Sequence, residues 1–284
     1  MSQEYQMIQT DIVKSCIAQY AALLAKVFSK PKLFTEAYIQ WQYADNPDGT
    51  IVGFNAYALD TLVAHYVAQP MQAVIDGNMC KGLLSLNTAT APAHQGKGLF
   101  VKLAHKTYEY AASQGYDFVI GVANQNSVHG FIKKLGFQQV GQLHALLGVG
   151  SLGAAPDSKD FYYSKYWTAE AMQWRLSNPC NQYGITQGNF SIISCATTYP
   201  SIKATLGMYS SHDYPLSSRA SAFSLFNIWI GANRQVSSRT PLYFNIPQRF
   251  RPAPLYLIYK SLNNKNASLN FDDVCFQALD FDAY

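Results

Sequence analysis

The segment from Leu83 to Gly136 constrains the fold more tightly than any other part of the 284-residue chain. An apolar, β-prone run, Leu83–Thr90, passes through Ala91-Pro92-Ala93-His94 into Gln95-Gly96-Lys97-Gly98, and a helical pattern begins at Leu99. Glycines just before a helix let backbone N–H groups converge on an anion without Cβ interference. The positive end of the helix adds to that attraction. The helix runs to about Gln114 and stops at Gly115, a C-cap glycine. A buried strand, Phe118–Val122, follows it. Next comes a short helix, Ser127–Leu135, capped by Asn126 or Ser127 and stopped by Gly136, before a strand beginning at Phe137. A dinucleotide-binding turn would need G-x-G-x-x-G and an acid about 20 residues later. That glycine spacing is absent here, and the flanking strands read as antiparallel.

Upstream, Thr10 or Asp11 caps a predicted helix through about Phe28, with Ile17, Tyr20, Leu23 and Leu24 on one face. Thr35 caps a shorter helix, Glu36–Tyr43, that ends before the turn Asn46-Pro47-Asp48-Gly49. The runs Ile51–Ala58, Leu62–Pro70 and Cys80–Thr90, parted by Leu59-Asp60-Thr61 and Asp76-Gly77-Asn78, are predicted antiparallel strands. Gly148–Ser158 reads as a linker, or as a strand end followed by one, after which the chain begins again. Phe34-Thr35, Trp41 and Asn46-Pro47 recur in order as Trp167-Thr168, Trp174 and Asn178-Pro179, about 133 residues on. The ordered set argues for a diverged internal duplication. Further strands are expected at 190–198, 202–209, 222–230, 242–246, 255–260 and 274–281, but no glycine turn or long helix matching 95–114 is found there.

Composition narrows the function. Charged residues are 13% of the chain, apolar residues 49% and the net charge is +4, which excludes disorder and disfavours nucleic acid as a partner. No run of 18 apolar residues exists to span a bilayer, and the N-terminus lacks a signal-peptide pattern. Five scattered cysteines contain no C-x-x-C pair, so no metal site is expected. A cytoplasmic location is expected from these features together.

The order strand, Pro92, Gln95-Gly96-Lys97-Gly98-Leu99-Phe100, long helix, strand, Asn124-Gln125-Asn126-Ser127, short helix, Lys133-Lys134-Leu135-Gly136-Phe137 resembles the GNAT superfamily of N-acetyltransferases over roughly residues 35–141. The resemblance implies an α/β (α+β) fold, a mixed and mostly antiparallel sheet flanked by helices, here duplicated. Residues 1–150 are then the acetyl-CoA-binding catalytic domain, and 151–284 a degenerate GNAT-like domain. It implies acetyl-CoA as co-substrate and no metal. Gln95, Gly96, Lys97, Gly98, Leu99 and Phe100 would hold the pyrophosphate. The edge Thr88-Ala89-Thr90 would pair with the pantetheine arm, and Asn124 and Asn126 would lie near the arm or the thioester.

Transfer needs a neutral amine, an acceptor for its proton and a departing thiolate. Many family members carry a Tyr where this chain has Ile132, and the strand Leu83–Thr90 has no acid, only Ser85 and Asn87. The candidate catalytic residues are therefore His129, His65 and Asn87, with Tyr66, His94 and the C-terminal Asp280 and Asp282 also in view. Seventeen aromatic rings fall in the first 150 residues and 23 in the remaining 134. The ring-rich second half is expected either to wall an acceptor pocket or to form a homodimer surface. The acceptor expected is a small-molecule primary amine, an amino sugar being favoured. A protein N-acetyltransferase and a non-catalytic acyl-CoA-binding protein are the alternatives.

Overall fold

The β-prone segments become strands of one sheet in a computed structural model, which describes residues 4–283 except 151, 153–159, 222, 237–241, 248, 250, 252–253, 264 and 266–267. In order, the elements are β1 (Gln6–Gln9), α1 (Lys14–Phe28), α2 (Glu36–Tyr43), β2 (Val52–Ala58), β3 (Thr61–Ile75), β4 (Asn78–Thr90), α3 (Leu99–Ser113), β5 (Phe118–Asn124), α4 (Gln125–Leu135), β6 (Gln138–Gln142) and β7 (His144–Val149). Then follow β8 (Tyr163–Tyr166), α5 (Ala169–Arg175), β9 (Tyr183–Thr186), β10 (Phe190–Ala196), β11 (Ile202–Ser210), β12 (Phe226–Ala232), β13 (Tyr243–Asn245), β14 (Leu255–Ser261) and β15 (Val274–Gln277). The sheet is mixed and mostly antiparallel. The expected linker at 148–158 lies largely outside the described residues.

Two helical starts differ from the sequence reading. Asp11 Oδ1 accepts the backbone N–H of Ile12 at 2.6 Å and of Val13 at 3.3 Å, which turns the chain before α1 and delays that helix to Lys14. Asn124 caps α4, ahead of both expected caps: its side chain accepts from the backbone of Asn126 and Ser127, and Ser127 closes the capping box. Thr35 caps α2 as expected, accepting from Tyr38 N.

Helices cover both faces of β2–β5. Leu99, Leu103, Ala104, Tyr108 and Ala111 of α3 pack on Ala64, Tyr66, Ala68 and Leu83. On the other face, α1 and α2 bury Tyr20, Leu24, Ile39, Trp41 and Tyr43 against Val67 and Ala89. Successive β3 residues show the alternation: His65 stacks on Tyr20 at 4.5 Å, whereas Tyr66 hydrogen-bonds Tyr108 of α3 at 2.5 Å.

The two halves exchange a strand. In the first, β4 runs parallel to β5, and β14 lies between β5 and β6. In the second, β11 runs parallel to β12, and β7 lies between β12 and β13. Residues 255–261 thus complete the first half and residues 144–149 the second. Residue 150 is therefore not a boundary between independent domains. Unpaired strand edges are costly, and each half supplies the strand that closes the other.

The recurring tryptophans meet face to face. Trp41 Nε1 donates to the Trp174 carbonyl at 3.0 Å and Trp174 Nε1 donates to the Trp41 carbonyl at 2.9 Å. Their rings stack at 4.9 Å. Thr168 caps α5 as Thr35 caps α2. What reads along the chain as a repeat of about 133 residues is, in space, a reciprocal contact.

Candidate active site

β4 and β5 pair only over Gly82–Ser85 and Phe118–Gly121. Beyond that they part, β4 continuing to Thr90 and β5 to Asn124, and a wedge opens between them with the backbone edge of β4 exposed to it. A bulge lies on β4 at the mouth of the wedge. His65 pairs with Ala89 but Val67 with Leu86, so Tyr66 alone faces Asn87 and Thr88. Asn87 sits in the left-handed region at φ 47°, which Asn tolerates better than most residues. The extra residue reverses the alternation. Leu86 and Asn87 both face a pocket on the α2 side, and Thr88 and Thr90 face a cleft on the α3 side.

The cleft is the larger cavity, about 680 Å³. Thr88, Thr90, Gln95, Gly96, Gly98, Leu99, Phe100, Asn126 and His129, all singled out in the sequence, line it. Gly96 and Gly98 both have φ 72°, and a Cβ at either would meet no atom within 4 Å. Gly98 is the N-cap of α3, and the first intrahelical bond recorded there runs from Lys102 N to Gly98 O. The backbone N–H groups of Leu99, Phe100 and Val101 are the orphan donors of that helix end and belong to cleft residues. The residues fit a diphosphate at the glycine turn and an amide-bearing arm along the open β4 edge.

Five expected site residues, three for the ligand and two catalytic, are placed otherwise. Ala89 is 2% exposed and packs with α1 and α2, so it can offer the cleft backbone only. The Asn124 side chain is committed to capping α4. Lys97 is exposed and its side chain is not part of the cleft wall. His65, expected as a catalytic group, is fully buried between Tyr43 and Asn55, which hold its Nε2 at 2.9 Å and Nδ1 at 2.7 Å. Burial pushes its pKa down to about 3, so it is a neutral core residue. Asn87 lines the smaller pocket rather than the cleft, which the next residue, Thr88, lines.

The cleft also contains His94, and residues that the sequence reading did not assign to a site: Val101, Ser127, Gly130, Phe131 and Lys134. Ser127, Gly130, Phe131 and Lys134 are spaced i, i+3, i+4, i+7, the signature of one helix face, so helical periodicity contained them. Gly130 leaves room for the Phe100 ring, whose nearest atom would lie 3.1 Å from an added Cβ. Ile132, at the position of the family's tyrosine, packs against the core under α3.

The smaller pocket, about 170 Å³, lies between the halves. Leu33, Phe34, Leu86 and Phe281 form apolar walls, and Tyr38, Gln42, Gln69, Asn87, Arg175 and Asp282 bring polar atoms. Arg175 is fully buried, pairs with Asp282 at 3.2 Å and lies 4.8 Å from the Trp174 ring. Nearby, Lys165 Nζ sits 3.6 Å over Trp167, and burial together with the Arg175 charge pushes its pKa down to about 7. Buried Asp280 is held by Gln277 N and Trp167 Nε1, and desolvation raises its pKa.

An α/β sheet with a glycine turn beside parting parallel strands is the arrangement expected of a GNAT-like fold. Residues 11–140, just under half of the chain, match the model of the acetyltransferase (GNAT) domain family. No curated protein matches the chain by sequence. Three solved structures have the same fold. A probable N-acyltransferase from Enterococcus faecalis V583 is 9% identical with TM-score 0.62, over 92% of this chain and 73% of its own. A GCN5-related N-acetyltransferase from Anabaena variabilis is 12% identical with TM-score 0.56, over 91% and 73%. One from Kribbella flavida is 11% identical with TM-score 0.57, over 91% and 72%.

Proposed function

We propose that the chain is an N-acetyltransferase that moves an acetyl group from acetyl-CoA to the primary amine of a small molecule. One observation carries this reading: a single bulge on β4 presents adjacent residues, Asn87 and Thr88, to two different cavities. The cleft suits a long anionic donor, and the smaller pocket suits a small acceptor. When bound, acetyl-CoA supplies an activated thioester. The glycine turn and the N-terminus of α3 hold its diphosphate, Lys134 adds positive charge at the cleft wall, and the open edge of β4 orders the arm. His129, on the cleft face of α4, is the group placed to take the amine's proton. The small volume and ring-bearing walls of the smaller pocket (Phe34, Tyr38, Phe281) favour a small acceptor over a protein chain.

The test is acetyl-CoA binding by calorimetry together with thiol release on a panel of glucosamine, tyramine, putrescine and a lysine-containing peptide. Gly98→Asp should weaken acetyl-CoA binding at least tenfold, because a carboxylate would face the diphosphate and the left-handed backbone would be strained. Unchanged affinity would remove the glycine turn from the donor site. Donor binding without turnover of any amine would leave a non-catalytic acyl-CoA-binding protein instead.

A further inference from the structure

A continuous hydrogen-bond chain crosses the core and passes through Asn87. Asn87 Nδ2 donates to Gln42 Oε1 at 2.6 Å and to the Tyr43 hydroxyl at 3.1 Å. From Gln42, Nε2 donates to the Tyr38 hydroxyl at 3.0 Å, which donates to Asp282 Oδ2 at 2.8 Å. Asp282 is itself anchored in the second half, by Arg175 and by Asn178 Nδ2 at 3.2 Å. On the other arm, Tyr43 accepts from Asn87 and gives its one hydrogen to Nε2 of the neutral His65 ring, because Asn55 Oδ1 can only accept and so requires the ring hydrogen on Nδ1. His65 Nδ1–H then donates to Asn55 Oδ1, Asn55 Nδ2 to the Tyr20 hydroxyl at 3.0 Å, and Tyr20 to the Asp11 carbonyl at 3.0 Å.

Both hydrogens of the Asn87 amide are consumed by this chain. The amide can rotate neither about χ2 nor by a flip without breaking both arms, and its remaining hydrogen-bonding group is the Oδ1 acceptor, on a residue that lines the smaller pocket. We propose that Asn87 Oδ1 accepts an N–H of the attacking amine, and that Tyr38 and Asp282 are positioning residues that act through Gln42 to hold it there. This rests on the acetyl-transfer reading above. In the step, the nitrogen lone pair forms the C–N bond and the C–S bond breaks with its electron pair leaving on sulfur. The displaced proton goes to His129, the group assigned above to take it. Asn87 gains no proton; it sets the direction of the lone pair, and misaligning it costs rate without changing donor affinity.

Tyr38→Phe tests the proposal, because it removes one hydroxyl from the middle of the chain and leaves Asn87, Gln42 and Asp282 in place. It should lower kcat about tenfold with acetyl-CoA affinity unchanged, and should speed hydrogen exchange at the Asn87 side-chain amide in ¹⁵N spectra. Asn87→Ala should lower kcat about a hundredfold. The double variant should be no slower than Asn87→Ala alone, since Tyr38 acts through Asn87. A wild-type kcat or unchanged amide exchange in Tyr38→Phe, or additive losses in the double variant, would overturn the proposal while acetyl transfer stood. A wild-type chain that binds acetyl-CoA yet acetylates no amine of the panel would overturn the acetyl-transfer reading, and this proposal with it.

Discussion

At the scale of single residues, one inserted position on β4 decides which groups can take part in chemistry. Strict alternation along Leu83–Thr90 would turn Asn87 toward α3 with Ser85, and Thr88 and Thr90 toward α1. The bulge opposite Tyr66 reverses this, because a one-residue shift moves every later side chain to the other face. Nothing in the residue types announces the bulge except Asn87 itself, a residue at home in the left-handed region. His65 has the opposite history. Its identity suggested chemistry, but its position on β3 points it between Tyr43 and Asn55, where it is sealed. Its buried, neutral state has a thermal consequence. The folded chain resists protonation down to about pH 3, whereas an unfolded histidine titrates near 6.5. Stability that is fully present above pH 6.5 is therefore lost as the pH falls toward 3, by about 1.4 kcal/mol per pH unit from this group. His65→Gln keeps one donor and one acceptor without a titration. Its melting temperature should fall less steeply than wild type between pH 6.5 and 4 by scanning calorimetry; parallel slopes would remove His65 as the source.

At the scale of elements, α2 and α5 carry the contact that joins the halves. Both are short, both begin at a capping threonine, and both present a tryptophan whose indole N–H reaches the other's backbone carbonyl. The order Thr, Trp, Asn-Pro was legible twice in the sequence. That the two tryptophans touch was not, because a linear repeat carries no information about which copies face each other. Trp174→Phe keeps most of the stacked area but leaves the buried Trp41 carbonyl without its donor, which costs about 1–3 kcal/mol. Urea unfolding should show that loss. Trp41→Phe combined with Trp174→Phe should depart from additivity, because the rings are in contact. Loss below about 0.5 kcal/mol in the single variant would mean that the pair does not hold the halves together.

At the scale of the molecule, the two halves share a strand plan but not an opening. In the first half the wedge beyond Gly82–Ser85 and Phe118–Gly121 stays open as the cleft. In the second, the matching parallel pair is Ile202–Thr205 with Phe226–Trp229, and the chain's own C-terminal segment enters beyond it. Phe276 and Gln277 of β15 pair with Ala232 and Gly231. The Gln277 side chain accepts from Met208 N at 3.0 Å and donates to Met208 O at 3.3 Å, satisfying the backbone edge that a ligand amide would otherwise use. The same segment continues into Asp280 and Asp282, so filling one wedge also delivers Asp282 to the pocket beside the other. Calorimetry should therefore give a stoichiometry of one acetyl-CoA per chain. Two would mean that β15 is displaced from the second wedge.

The glycine turn, the long helix after it, the strands around it and the aromatic second half were all readable, because turn glycines, caps and apolar periodicity are local signals. The sequence by itself determined the fold type and the residues of the cleft turn. The C-terminal acids were visible as candidates, but their place was not, since Asp282 is 244 residues from the Tyr38 it touches. Only the tertiary structure decided which half stays open, which strand closes which sheet and where Asn87 points. Each of these depends on pairing between distant segments, and a pairing register is chosen by the whole sheet rather than by the residues that form it.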